Sequence, residues 1–182
     1  MRRRRTSFPL VAGAVLTGAL VLVALLSLAW TPYAPEAVRV VARLRPPGPD
    51  HWLGTDHFGR DVLSMLMVGA RLSLGIGAAS VALGLLGGVP LGLLGAARPG
   101  WWDEAAGRMA DLLFAFPAVL VAILLTALNG PGAGNAVAAI ALFNVAVLAR
   151  VTQGEAKGVM RRDFVRASQA LGRGPWGVAW VH

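Results

Sequence analysis

The sequence predicts an all-α, multi-pass membrane protein. Three observations carry that expectation. Only 14% of the 182 residues are charged, against about 25% in an ordinary soluble domain, and 56% are hydrophobic. Mean hydropathy is +0.63. The basic residues sit at the ends of long apolar runs, where membrane orientation places them.

A helix needs about 20 apolar residues to cross a hydrocarbon core of about 30 Å. The run from Phe8 to Trp30 has no charge and meets that length. Leu72 to Ala97 is a second charge-free run. Leu112 to Ala149 is a third, interrupted by Asn129-Gly130-Pro131-Gly132-Ala133-Gly134-Asn135, which reads as a turn between two spans. The span before that turn borrows residues from Ala105 onward. The span after it begins at Ala136 and continues past Arg150, whose side chain can snorkel to the interface. Four spans are therefore expected.

The first run has a second reading. Arg2 to Arg5 followed by an apolar stretch resembles a secretory signal, with Ser27-Leu28-Ala29 as a cleavage site. Signal cores run about 7–15 residues, and this one is longer, which favours an uncleaved anchor. Of the 17 lysines and arginines, five (Arg39, Arg43, Arg45, Arg60 and Arg71) fall outside if the N-terminus is inside, which leaves twelve inside. That imbalance supports four spans with both ends cytoplasmic. The chain then divides into 1–30, a basic N-terminus and first span; 31–71, an extracytoplasmic segment; 72–153, spans two to four; and 154–182, a cytoplasmic segment.

Ser80, Gly84, Gly88, Gly92 and Ala96 recur every four residues in the second run and share one helix face. Such stripes let helix backbones approach in lipid. Pro90 and Pro117 each remove a backbone donor and invite a kink. These features suit packing alone, or helices that line a path which opens and closes.

The net charge of +8 raises nucleic acid as a partner. The basic residues form no face or aromatic-interleaved patch, so no nucleic acid is expected. The absence of cysteine excludes disulfides and thiolate metal sites. No cofactor is expected. A phosphate-binding loop needs Gly-Lys before Ser or Thr, and the only lysine, Lys157, follows Ala156, so ATP hydrolysis belongs elsewhere. No Gly-x-Ser-x-Gly turn is present. A second reading is a membrane-embedded metal-binding protein or metalloenzyme using His51, Asp56 and His57, with Asp50 and Asp61 nearby. Against it, Gly54 and Gly59 suggest a turning loop whose Asp56, Arg60 and Asp61 pair with each other or cap the next helix.

After the fourth span, Asp163 is a good N-cap, and Phe164, Ala167, Ser168 and Leu171 share one face of a short helix. Gly172 suits a left-handed stop, and Pro175 can start another helix. The alternative is an amphipathic helix lying on lipid, but its apolar face is small and better suited to a protein groove.

Phe164 to Gly172 resembles the cytoplasmic coupling motif of ATP-binding-cassette importer permeases, Glu-Ala-Ala, three residues, Gly. Arg166, Ala167, Ser168 and Gly172 match its spacing, with Arg166 in place of glutamate and Ser168 in place of alanine. Leu53 to Ser64 and Gly69 to Gly75 resemble the segment before the second span in the dipeptide, oligopeptide and nickel branch, with Met65 where arginine is usual. Asp111 to Pro117 followed by Asn129 to Gly132 is a third match. The resemblance covers nearly all of 51–182. It implies that Phe164, Arg166, Ala167, Ser168, Ala170, Leu171 and Gly172 contact an ATPase. It also implies that Gly54, Thr55, Asp56, Gly59, Arg60 and Asp61 serve gating or docking of an extracytoplasmic substrate-binding protein. The implied partners are a second permease subunit, two ATPase subunits and membrane lipid. Family members have six spans, so the resemblance implies a fragment that stops before the last two.

Overall fold

A computed structural model describes residues 8–98, 100–163 and 165. Every regular element among them is helical: α1 (Phe8–Ala29), α2 (Val62–Ala97), α3 (Trp101–Ala115), α4 (Ala118–Asn129) and α5 (Ala133–Met160), with a short 3-10 turn at Val40–Ala42. Three helices, α1, α2 and α5, are long and apolar enough to cross a membrane, and α3 with α4 makes a fourth if the bent pair is one span. The multi-pass helical class follows from these lengths. The 22 residues of α1 rise about 33 Å, and the 36 of α2 about 54 Å.

Helix ends differ from the apolar runs for identifiable reasons. α2 begins at Val62, ten residues before the charge-free run at Leu72, because Asp61 caps it there. It passes through Pro90 without ending. Pro117, by contrast, divides the third run. Phe116 takes the extended φ −100°, ψ 113° that a residue before proline prefers, and α3 and α4 meet at a 72° bend. The loop before α5 is tighter than the glycines and asparagines suggest. Gly130 turns at φ 81°, Asn135 Nδ2 donates to its carbonyl at 2.7 Å, and α5 already starts at Ala133. α5 continues through Arg150 to Met160.

Two compact units divide at Gly75, and α2 contributes to both. In the first, Arg71 Nη1 on α2 donates to the Ser27 carbonyl of α1 at 3.0 Å. Residues 30–61 fold as a loop joining those helices.

The second unit is held by close backbone approach between α2 and α5. A Cβ placed on Gly84 would lie 2.5 Å from Asn144 Cβ. One on Gly88 would meet the Val145 carbonyl at 2.7 Å, and one on Gly92 the Ala149 carbonyl at 2.5 Å. Ser80 adds a hydrogen bond to the Val137 carbonyl at 3.3 Å while also serving Ile76 in its own helix at 2.7 Å. The α5 residues buried here are small too: Ala139, Ala141, Ala146 and Ala149. In lipid no hydrophobic effect draws helices together, so packing of this kind supplies the attraction. The large side chains face outward; Val119 and Leu128 of α4 are 69% and 73% exposed, as suits surfaces that meet hydrocarbon.

Gly88→Leu should therefore lower the stability of the purified protein in detergent by about 1–3 kcal/mol, the usual cost of overpacking. Gly77→Leu, where nothing lies within 4 Å, should leave the melting temperature near that of the parent. Equal melting of the two variants would contradict the α2–α5 contact.

Candidate functional site

The loop before α2 gathers most of the polar chemistry of the first unit. Its path is set by two glycines in the left-handed region. Gly54 and Gly59 both have φ 74°. A Cβ on Gly54 would sit 2.5 Å from the Arg45 carbonyl, and one on Gly59 would collide with the Arg39 backbone. Thr55, just after Gly54, and Asp61, two residues past Gly59, form an antiparallel bridge. Thr55 Oγ1 donates to the Ala42 carbonyl and accepts from the Arg45 N–H at 2.9 Å, which fastens the turn to the preceding chain.

Asp56 closes the tip. Its carboxylate accepts from the main-chain N–H of Phe58 at 2.8 Å and of Arg60 at 2.9 Å, and from Arg60 Nε at 2.8 Å. The guanidinium also lies over the Phe58 ring, 4.9 Å from its centroid. Desolvation raises the Asp56 pKa, but the bonds from Arg60 and Phe58 and the Arg60 charge outweigh it and hold the group below its ordinary 3.8.

Asp61 is the anchor. One oxygen accepts from the Ser64 N–H at 2.8 Å and the Ser64 hydroxyl at 2.7 Å, which caps the first turn of α2. The other lies 2.9 Å from His51 Nδ1. Ser64 Oγ in turn accepts from the Tyr33 N–H at 3.0 Å, and the Tyr33 ring packs on His51 with centroids 4.6 Å apart. Asp61, His51, Thr55 and Ser64 are all buried, and no buried side-chain nitrogen or oxygen among the described residues lacks a partner. Burial raises the Asp61 pKa, yet the Ser64 and His51 bonds outweigh that and keep it below 3.8.

This geometry withdraws the metal reading. His51 spends Nδ1 on Asp61, Asp56 is turned onto Arg60, and His57 stacks on Phe58 with centroids 4.0 Å apart. No three histidine or carboxylate side chains among the described residues converge on a metal position. The cluster is not a nucleophilic triad either. The carboxylate lies between Ser64 and His51, so the imidazole does not reach the hydroxyl proton.

A second polar set joins α3 to α5. Lys157 Nζ lies 2.6 Å from Asp103 Oδ1, Gln153 Nε2 donates to the same carboxylate, and Arg150 pairs with Asp111. None of these pairs was expected from the sequence. The signal was there: Asp103 and Asp111 are eight apart on one helix face, and Arg150, Gln153 and Lys157 share a face at spacings of three and four. Of the segment Phe164–Gly172, Phe164, Arg166, Ala167, Ser168, Ala170, Leu171 and Gly172 lie outside the described residues.

Asp61→Ala should loosen the first turn of α2 by about 1 kcal/mol, the usual worth of an N-cap, seen as faster hydrogen exchange at the Ser64 amide. In the parent, a depressed carboxylate pKa stabilises the fold above the unfolded value. Protection should therefore persist down to about 3.8 and fall away below it, after correction for intrinsic exchange rates. Protection lost already near neutral pH would contradict the Asp61 carboxylate as its source.

Residues 88–182 match the family described as binding-protein-dependent transport system inner membrane component. The chain is 37% identical over 136 residues to the glutathione transport system permease protein GsiD of Pectobacterium atrosepticum, covering 75% of this chain and 45% of that protein. It is 33% identical over 162 residues to the dipeptide transport system permease protein DppC of Alkalihalophilus pseudofirmus, covering 89% and 53%. It is 38% identical over 164 residues to the nickel transport system permease protein NikC of Escherichia coli, covering 88% and 58%. The chain thus spans about half the length of the curated relatives it matches.

Proposed function

This chain belongs to the family of binding-protein-dependent transport system inner membrane components, and from that premise we propose that it forms part of the membrane permease of an ATP-binding-cassette importer for peptides or a similar small solute. The family match over α3, α4, α5 and the residues that follow is the observation that carries this proposal. The relatives named for glutathione, dipeptide and nickel transport support the solute class.

In this assignment a second permease subunit completes the path, and two ATPase subunits bind at the cytoplasmic face. The N-terminus is cytoplasmic, and residues 31–71 begin the external side. Gly54, Thr55, Asp56, Gly59, Arg60 and Asp61 shape the loop where a substrate-binding protein docks or gates, with Gly54, Thr55, Gly59 and Asp61 buried beneath its surface. A docking surface has to keep its shape through many encounters, and the interlocked bonds of Asp56 and Asp61 favour that role. Phe164, Arg166, Ala167, Ser168, Ala170, Leu171 and Gly172 make the ATPase contact. Nucleotide-driven closure of the ATPases then moves that contact and rocks the packed helices between inward and outward access.

Gly172→Pro in the permease should leave membrane insertion and ATP hydrolysis in place while abolishing uptake, measured as accumulation of labelled dipeptide. Unimpaired uptake in that variant would refute the coupling role.

A further inference from the structure

The chain breaks between α3 and α4 where the surrounding sequence is apolar. Phe116 is extended, and Pro117 starts the turn into α4. Proline has no N–H, so it cannot serve the Leu113 carbonyl as the next helical residue would. No other donor among the described residues reaches the carbonyls of Leu113, Phe114, Ala115 or Phe116. Four acceptors are left open at one helix end.

Two counts give the depth of this break. Asp111 pairs with Arg150, the first charge on α5. From Asp111 to Pro117 is six residues, or about 9 Å of helix rise. From Arg150 back to Phe143, whose ring meets Phe114 edge-on with centroids 5.6 Å apart, is seven residues, or about 10 Å. Both place the break on the apolar side of the ion pair.

Irregular backbone at such depth does not face lipid. It occurs where it lines water or is covered by protein that satisfies it. Phe116 is 57% exposed and Ala115 and Pro117 are exposed, so the described residues do not cover it. An apolar partner surface would leave the carbonyls as unsatisfied as lipid does. The C-terminal end of α3 also carries the negative end of a helix dipole. Resting on the transport assignment above, we infer that the Phe116–Pro117 break forms part of the wall of the solute path, a water-exposed rim of carbonyls that receives cationic hydrogen-bond donors such as the free ammonium of a peptide.

The sequence has no cysteine, so one introduced thiol is a unique probe on this chain. Phe116→Cys and, as a milder change, Ala115→Cys are placed in the permease assembled with its ATPases in vesicles, beside Val15→Cys in the exposed apolar face of α1. Both break variants should react with a water-soluble methanethiosulfonate at least about tenfold faster than Val15→Cys, because a thiol facing hydrocarbon stays protonated. The cationic reagent should outpace its anionic counterpart at the break, and trapping the ATPases with nucleotide should change the rate. Reaction no faster than at Val15 in a complex that still takes up solute would overturn the inference and leave the transport assignment standing. So would preference for the anionic reagent. The expected labelling in a complex that accumulates no dipeptide, glutathione or nickel would instead sink the assignment of a solute path.

Discussion

Hydrocarbon offers no partner for a backbone N–H or C=O, and that constraint orders the rest of this molecule. It explains why every regular element among the described residues is a helix. It explains why breaks at Gly130 and Pro117 need particular residues. It also leaves small side chains as the means of holding helices together. Gly84, Gly88 and Gly92 bring the α2 backbone onto Asn144, Val145 and Ala149 of α5, where any side chain would hold the two apart.

Polar side chains appear where they do work that apolar ones cannot. Asp61 ties three separate pieces of chain: the first turn of α2 through Ser64, His51 directly, and Tyr33 through the Ser64 hydroxyl. The α3–α5 pairs of Asp103 with Lys157 and Asp111 with Arg150 fix register between two helices whose apolar faces alone would slide. In the proposed importer these are the two places where force has to pass, from a docking protein at one end and from an ATPase at the other.

Much of this was legible in the residues. Charge-free runs mark α1, most of α2 and α5, because a membrane helix has to be apolar along its length. The apposition of Asp56 with Arg60, and Asp61 as a cap, follow from glycines at 54 and 59 that make a turn rather than a metal cage. Other features depend on contacts distant in sequence. Tyr33 is 31 residues from Ser64, and nothing local marks it as a partner. Histidines and carboxylates close in sequence suggested a metal, but the turn points Asp56 and His51 to different partners. Pro117 reads equally as a kink or a break until the geometry of Phe116 decides it.

In the proposed importer lipid is the solvent of these helices, with the loop before α2 outside and the end of α5 inside. Trp52 on that loop and Glu155 on α5 are both exposed, so single cysteines there report the side directly. With a membrane-impermeant maleimide on right-side-out vesicles, a cysteine at Trp52 should label at once and one at Glu155 only after permeabilisation. Labelling of both positions from the same side would contradict the account.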